Sequence, residues 1–196
     1  MSNNRSGGNR ATASGAEMES KVMSAVVLEL KRQGFKVVST PTKISIPSKL
    51  KSALFFEDPN NCQILLLKGK DLHKFAGNMG AGTYQAKFQK ELHPDLALVN
   101  LSRNALTILE VKNQNGAGSV DEKLQTNHFK QYYYQHIAAE LGLELQLYWF
   151  LAGLHISKHS SKYEAILEYM NRTGAITEVF VSNPQVAAKR LVEFIV

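Results

Sequence analysis

Three charged residues occupy the ends of two short apolar runs that the sequence predicts to be neighbouring strands. Asp95 directly precedes the run at 96–99, Glu110 lies at the end of the run at 105–111, and Lys112 directly follows that run. A strand that is apolar along its length and charged at one end is typical of a buried element that carries a polar site at its tip. These residues are therefore the first candidates for chemistry.

The stretch between the two runs, NLSRN at 100–104, has the composition of a tight turn. With the turn at this position, antiparallel pairing places Asp95 opposite Leu109 or Glu110. Directly opposed residues have Cβ atoms about 5 Å apart. Glu110 and Lys112 share one face, because side chains alternate along a strand. The pattern predicts that the three charged side chains converge at one end of a hairpin.

Two carboxylates held beside one lysine could bind a divalent cation, which relieves their mutual repulsion. Hard oxygen ligands favour Mg²⁺, for which Mn²⁺ could substitute. The ligands would be Asp95, Glu110 and the carbonyl oxygen of Val111. Such a cation suits phosphodiester hydrolysis, in which Lys112 would orient or deprotonate a water, or stabilise the pentavalent phosphorus. The alternative is a salt bridge that only solubilises the strand end.

The order of these residues resembles the signature of the PD-(D/E)xK nuclease superfamily, with PD at 94–95 and EVK at 110–112. The following stretch, NQNGAGSVDEKLQTNHFKQYY at 113–133, resembles the segment after that signature in type II restriction endonucleases. The resemblance covers about residues 15–155. It implies a restriction-endonuclease-like fold and a Mg²⁺-dependent cut in double-stranded DNA.

The helix predicted at the N-terminus resembles the first helix of that superfamily, from which an acidic residue can join the metal site. Glu19 is the first candidate for this metal ligand, and Glu17 is the second. The alternative is that both glutamates only keep the helix soluble.

The elements that must position these residues alternate along the chain. The spacing of apolar residues predicts a helix from the cap Ser14 to Gly34, a second helix from Ser119 to Gly142, and a last one with Asn183 as its cap. Strands separate these helices, and the hairpin lies in the middle. We therefore expect an α/β fold, a mixed β-sheet with a central catalytic hairpin flanked by helices.

Composition limits the organisation and the partners. The chain has 196 residues, of which 44% are hydrophobic, enough for one nuclease domain over 15–196. Residues 1–14 are polar and carry two arginines, which predicts a flexible basic arm. The net charge of +6 is compatible with a polyanionic partner without specifying one. The single cysteine, Cys62, excludes an intrachain disulfide or a cysteine zinc cluster.

The N-terminus lacks the apolar stretch of a signal peptide, and no run of about 18 apolar residues follows it. We therefore expect a cytoplasmic protein without a membrane partner.

Sequence readout is predicted in residues 113–136, because a helix that starts so soon after Lys112 must begin beside the scissile phosphate. Asparagine and glutamine suit adenine edges, and lysine suits phosphate or guanine. A glycine-rich basic segment at 68–93 is either a second phosphate contact or only a flexible loop. The candidate DNA-binding residues are Asn113, Gln114, Asn115, Ser119, Lys123, Asn127, Lys130, Lys87 and Lys90.

Together these features predict a Mg²⁺-dependent, sequence-specific DNA endonuclease of the type II restriction class. A double-strand break at a palindrome needs two sites related by a two-fold axis, so a homodimer is expected. Monomers that nick the two strands in sequence are the alternative. The alternatives are a Holliday-junction resolvase or DNA-repair nuclease of the same superfamily, a catalytically silent DNA-binding protein, and an α/β protein without a nucleic-acid role.

Overall fold

The computed structural model describes residues 7–39, 50, 52–114, 124–153, 160–172, 178–181 and 183–196. The helices of this part of the chain are α1 (Gly7–Arg32), α2 (Asp71–Asn78), α3 (Thr83–Phe88), α4 (Asn127–Leu141), α5 (Ser160–Arg172) and α6 (Pro184–Ile195). The strands are β1 (Lys36–Val38), β2 (Leu54–Glu57), β3 (Gln63–Leu67), β4 (Leu96–Asn100), β5 (Ala105–Asn113), β6 (Glu144–Ala152) and β7 (Glu178–Val181).

All the described strands belong to one seven-stranded sheet, in which they follow one another in chain order. The strands from β1 to β5 pair antiparallel, and β5, β6 and β7 pair parallel. The prediction of an α/β fold with a mixed sheet flanked by helices is therefore confirmed. The β4–β5 hairpin lies in the middle of the sheet, where the antiparallel part meets the parallel part.

Helices cover both faces of the sheet, and the alternation of side chains in β5 shows why that strand is apolar. Leu109 and Val111 pack in the same apolar layer as α1 and α6. Leu106 and Ile108 pack on the opposite face, in the layer formed with α2, α3 and α4. Glu110 alternates with the first pair, so it shares the face of the second layer.

The turn of the hairpin is closed by one asparagine. The Asn100 side chain accepts hydrogen bonds from the backbone N–H groups of Ser102 (3.0 Å) and Arg103 (3.1 Å). Asn104 adopts a φ of 52°, a left-handed conformation that asparagine tolerates better than most residues. The predicted turn at 100–104 is confirmed. The bonds that close it are local, while the Asn100 side-chain N–H donates across the fold to the Ile195 carbonyl oxygen at 2.6 Å.

Helix α1 does not start where the sequence predicted. It begins at Gly7, so Ser14 lies inside the helix and is not its cap. The spacing of apolar residues predicted the later part of the helix. The polar residues before it carry no such spacing, so the sequence did not predict that the helix extends through them. Residues 7–14, placed by the sequence in a flexible arm, belong to α1, and residues 1–6 lie outside the described part.

The segment 68–93 is not a loop, because it contains α2 and α3. Leu72, Phe75, Ala76 and Tyr84 are buried in the layer beneath them. These residues recur at helical spacing, but the four glycines of the segment concealed the pattern. The prediction of a flexible loop is therefore wrong.

The last helix follows the predicted signals. The Asn183 side chain accepts hydrogen bonds from the N–H groups of Gln185 (3.0 Å) and Val186 (3.2 Å), and Pro184 occupies the first helical position. In the described ranges, no helix has the length and apolar character needed to span a membrane.

Candidate active site

The hairpin brings the predicted carboxylates together. Leu96 pairs with Leu109. One further step in this register sets Asp95 opposite Glu110, and alternation along β5 puts Lys112 on the same face. The three side chains lie at the end of the hairpin away from the turn, as predicted.

The Lys112 ammonium lies among three oxygen atoms of this hairpin. Its Nζ atom is 2.9 Å from Asp95 Oδ2, 3.3 Å from Glu110 Oε2 and 2.8 Å from the carbonyl oxygen of Val111. These oxygens belong to the three residues that the sequence predicts as ligands of a divalent cation. The ammonium therefore marks a position that both carboxylates and the carbonyl reach at once.

Burial and the neighbouring charges shift the pKa of Lys112 in opposite directions. Its side chain is only 14% exposed, and the partners Asp95 and Glu110 are 18% and 1% exposed. Burial by itself lowers the pKa of Lys112, but the attraction of Asp95 and then of Glu110 outweighs it, and the pKa is raised. A further bond from the Val111 N–H (2.6 Å) fixes Asp95 Oδ2 in place.

Helix α4 supplies the remaining partners of Glu110. Lys130 Nζ donates to Glu110 Oε2 at 2.5 Å, and the Tyr134 hydroxyl donates to Oε1 at 3.3 Å. These two residues lie one helical turn apart and so share a face of α4. Burial first, and the Glu110 carboxylate second, hold the pKa of Tyr134 well above its usual range. Sequence reasoning placed Lys130 on DNA, whereas the structure places it inside the carboxylate cluster.

A tryptophan on β6 forms one wall of the site. The Trp149 ring centroid lies 5.7 Å from Lys112 Nζ and 5.2 Å from Lys130 Nζ, within the range of cation–π attraction. The indole N–H donates to Asn127 Oδ1 at 2.6 Å, and both residues are fully buried. Asn127, predicted to contact DNA, here orients Trp149.

Helix α1 contributes one of its two candidate glutamates. Burial first, and the charge of Asp95 second, raise the pKa of Glu19, while Lys68 at 3.5 Å and Lys112 oppose this shift. Glu19 is therefore electrostatically coupled to the hairpin site. Glu17 pairs with Lys21 at 2.6 Å and is 65% exposed, so it faces solvent.

The cluster is electrically balanced as it stands, and its ligand set fits a hard cation. Three carboxylates (Glu19, Asp95 and Glu110) face three ammonium groups (Lys68, Lys112 and Lys130). Two of these carboxylates and one carbonyl point at a shared position, and such an all-oxygen donor set suits Mg²⁺ or Mn²⁺. With a divalent ion added, the site would carry a net positive charge that suits a phosphate.

Beyond Lys112, the strand ends of β5 and β6 are tied together. The Gln114 N–H donates to the Ala152 carbonyl at 2.8 Å, and the Gln114 side chain is buried. A Cβ atom on Gly153, which has a φ of +109°, would lie 2.1 Å from the Gln114 carbonyl oxygen. Only glycine fits this approach. Asn113 is half-buried at the end of β5, and neither amide is presented as the open loop residue that the sequence predicted.

The remaining predicted contacts are divided between exposed and undescribed positions. Lys87 is exposed and bonds the Tyr132 hydroxyl and His136 Nε2, both at 2.9 Å, and Lys90 is also exposed. Lys87 therefore lies against α4, away from the carboxylate cluster. Asn115, Ser119 and Lys123 lie outside the described residues.

A second group of ligating side chains was not predicted. The ligand atoms of His73, Glu91 and His93 lie within 4.8 Å of one another. His73 is already engaged on both sides, with Nε2 2.7 Å from the Leu92 carbonyl and Nδ1 3.1 Å from the Tyr84 hydroxyl. A carbonyl accepts, so Nε2 carries the proton and Nδ1 accepts from Tyr84.

Sequence reasoning missed the supporting residues Lys68, Tyr134 and Trp149. Lys130 and Tyr134 are four residues apart and share one helix face, and this spacing could have predicted a polar face of α4 turned towards the sheet. The apolar strand around Trp149 gave no such signal.

No model of a known protein family matches this chain, and no curated protein matches it either.

Proposed function

We propose that this protein is a Mg²⁺-dependent endonuclease that hydrolyses phosphodiester bonds in double-stranded DNA, with Asp95, Glu110 and Lys112 as its catalytic residues. One observation carries the proposal. The two carboxylates and the Val111 carbonyl surround a single cation position, which the Lys112 ammonium marks. A surface salt bridge accounts poorly for this arrangement, because Glu110 is almost fully buried.

Asp95, Glu110 and the Val111 carbonyl would hold the metal ion, and Glu19 would join through its coupling to Asp95. Bound there, Mg²⁺ supplies Lewis acidity towards a phosphate oxygen and a water of lowered pKa. Asp95 keeps its orientation through the Val111 N–H, and Glu110 keeps its orientation through Tyr134. Lys112 donates hydrogen bonds in this site, so we assign it to orienting the attacking water and stabilising the charge on phosphorus.

Two finer parts of the proposal, a restriction-endonuclease-like fold and sequence specificity of the type II class, rest on the resemblance of the motifs. The homodimer on DNA rests on the two sites that a palindrome requires. The cytoplasmic location stays the expectation drawn from the sequence. The mixed sheet with the hairpin at its centre is compatible with that fold. Among the described residues, the exposed Lys87 and Lys90 are those we assign to DNA. Asn115, Ser119 and Lys123 stay predicted contacts.

A cleavage assay tests the activity. The protein is incubated with long duplex DNA and with four-way junctions, in Mg²⁺ or Mn²⁺, beside the Asp95→Asn variant as a matched control. Discrete fragments from the duplex, absent with the variant, are the expected result. A smear would indicate nonspecific cleavage, and cutting of junctions alone would indicate a resolvase. A gel shift without cutting by the wild type would overturn the nuclease assignment and leave a DNA-binding protein.

The assembly has a separate test. Sedimentation of the protein with a short duplex that contains its site should show two protomers per duplex, because one protomer carries one hairpin site. One protomer per duplex at saturating protein would overturn the dimer without affecting the cleavage assay.

A further inference from the structure

Two lysines share a single oxygen atom of Glu110. Lys130 Nζ lies 2.5 Å and Lys112 Nζ 3.3 Å from Glu110 Oε2. The two ammonium groups are therefore close neighbours, and both also lie over the Trp149 ring. Like charges this close repel strongly where water is scarce, and the shared carboxylate holds them together.

The two lysines differ in how firmly the site holds them. Lys112 donates to three oxygens, one of which is the carbonyl of the neighbouring Val111. Lys130 reaches in from α4, and Glu110 is its hydrogen-bond partner among the described residues. A cation at the position that Lys112 marks competes with both lysines for Glu110 Oε2, and it takes from Lys130 its hydrogen-bond partner among the described residues.

The displaced ammonium would need another anion. Lys130 remains 17% exposed, so it has an open side, and the preceding residue on α4, Phe129, is 50% exposed. With a divalent ion beside it, the cluster carries excess positive charge and repels the ammonium towards that open side. A phosphate of the DNA backbone is the anion that the substrate supplies there.

We propose that Lys130 exchanges partners as the site fills, neutralising Glu110 before metal binding and contacting a DNA phosphate afterwards. This inference rests on the proposed nuclease function. It makes Lys130 a substrate contact that depends on the metal, whereas the sequence predicted a DNA contact without reference to the metal.

Metal binding without DNA tests the first half. The chain has one tryptophan, Trp149, so its fluorescence reports the cluster directly. Lys130→Met should bind Mg²⁺ about fivefold more tightly than the wild type, because a competing charge is gone. Lys130→Arg, which keeps the charge, should stay within about twofold. Lys189→Met, an exposed lysine on α6 at the other face of the sheet, is the control for net charge and should match the wild type.

A purely structural role of Lys130 predicts the opposite change in Mg²⁺ affinity. If Lys130 only held Glu110 in position, Lys130→Met would bind Mg²⁺ more weakly, and that result overturns the proposal. An unchanged Mg²⁺ affinity in Lys130→Met overturns it as well. Thermal unfolding of each variant without metal shows that the titrated protein is folded, and calorimetry supplies the affinity if the fluorescence does not change.

DNA binding tests the second half, in a Lys112→Ala background that prevents cleavage. The dependence of affinity on salt is measured with a short duplex of random sequence, with and without a fixed Mg²⁺ concentration. Adding Lys130→Met should reduce the salt slope by about one phosphate contact in Mg²⁺ and leave it unchanged without Mg²⁺. An equal effect in both conditions, or no effect in Mg²⁺, overturns the exchange.

Different experimental results would refute the proposed nuclease function and the proposed exchange of Lys130. A wild-type protein that shows no Mg²⁺ or Mn²⁺ binding by fluorescence or calorimetry refutes the metal site itself. A wild-type protein that binds metal and cuts DNA, with Lys130→Met behaving like the wild type, refutes only the exchange.

Discussion

The hairpin site and the histidine group differ in what their ligand atoms are already doing. At the hairpin, oxygens of Asp95, Glu110 and Val111 point at one position that a cation occupies, the Lys112 ammonium. In the group of His73, Glu91 and His93 the ligand atoms are also close. There, however, Tyr84 and the Leu92 carbonyl engage both nitrogens of His73. Ligating atoms that lie close together are therefore a weaker indication of a metal site than ligating atoms that all point at one shared position.

The largest expected effect is on DNA cleavage, which should depend on the hairpin site and not on the histidine group. Asp95→Asn and Glu110→Gln should each lower DNA cleavage on the order of a thousandfold, because each removes a charged metal ligand. His93→Ala, in the exposed part of the other group, should cleave at the wild-type rate. Initial rates on duplex DNA in Mg²⁺ measure both. Loss of cleavage in His93→Ala with retention in Asp95→Asn would reverse the assignment of the two groups.

The second effect separates chemistry from metal binding inside the hairpin site. Lys112→Ala should abolish cleavage while Mg²⁺ binding persists, because the ammonium competes with the metal for the same oxygens and is not one of its ligands. Cleavage rates and a Trp149 fluorescence titration give the two quantities. Full cleavage by Lys112→Ala in Mg²⁺ would remove this lysine, and the motif that contains it, from the catalytic assignment.

A smaller effect distinguishes the two glutamates of α1. Glu19→Gln should weaken Mg²⁺ binding several-fold, because Glu19 adds negative charge near Asp95. Glu17→Gln should leave Mg²⁺ binding unchanged, since Glu17 pairs with Lys21 in solvent. Metal titrations of the two variants, matched in chemistry and in helix, provide the comparison. Unchanged Mg²⁺ binding in both variants would mean that neither glutamate reaches the site, and equal weakening in both would show an effect of net charge alone.

The smallest effect concerns stability and belongs to the histidine group. Burial lowers the pKa of His73 in the folded protein, against the pull of the Leu92 carbonyl and Glu91. The unfolded chain therefore binds this proton more readily, and stability is lost as pH falls below the ordinary histidine value of about 6.5. His73→Gln should flatten the pH dependence of the free energy of unfolding in that window.

Urea unfolding between neutral and mildly acidic pH measures the slope for the wild type and His73→Gln. His93→Gln, at the exposed histidine of the same group, serves as the matched control. Equal slopes for the wild type and His73→Gln would show that His73 is not the buried neutral histidine of this fold. A divalent ion bound at this group in place of the Tyr84 contact would appear as stabilisation by added Zn²⁺.

Local sequence determined the parts of the molecule that are built from neighbouring residues. The turn at 100–104 is closed by the side-chain carbonyl oxygen of Asn100 and the N–H groups of Ser102 and Arg103, and this local turn is compatible with the register that sets Asp95 opposite Glu110. The cap of α6 at Asn183 is local in the same sense. Strongly apolar runs determined the central strands, because a strand buried on both faces has few other arrangements.

Only the tertiary structure decided which distant side chains complete the site. Lys130, Trp149 and Glu19 lie on different elements, and each reaches the hairpin because of how those elements pack on the sheet. A polar residue on a helix has the same local signal whether it faces solvent, DNA or a buried carboxylate. The sequence therefore predicted the hairpin and the charged residues at its end, but it placed Lys130 and Asn127 on DNA. The orientation of α4 against β5 and β6 is set by long-range burial, and no pattern within the helix specifies it.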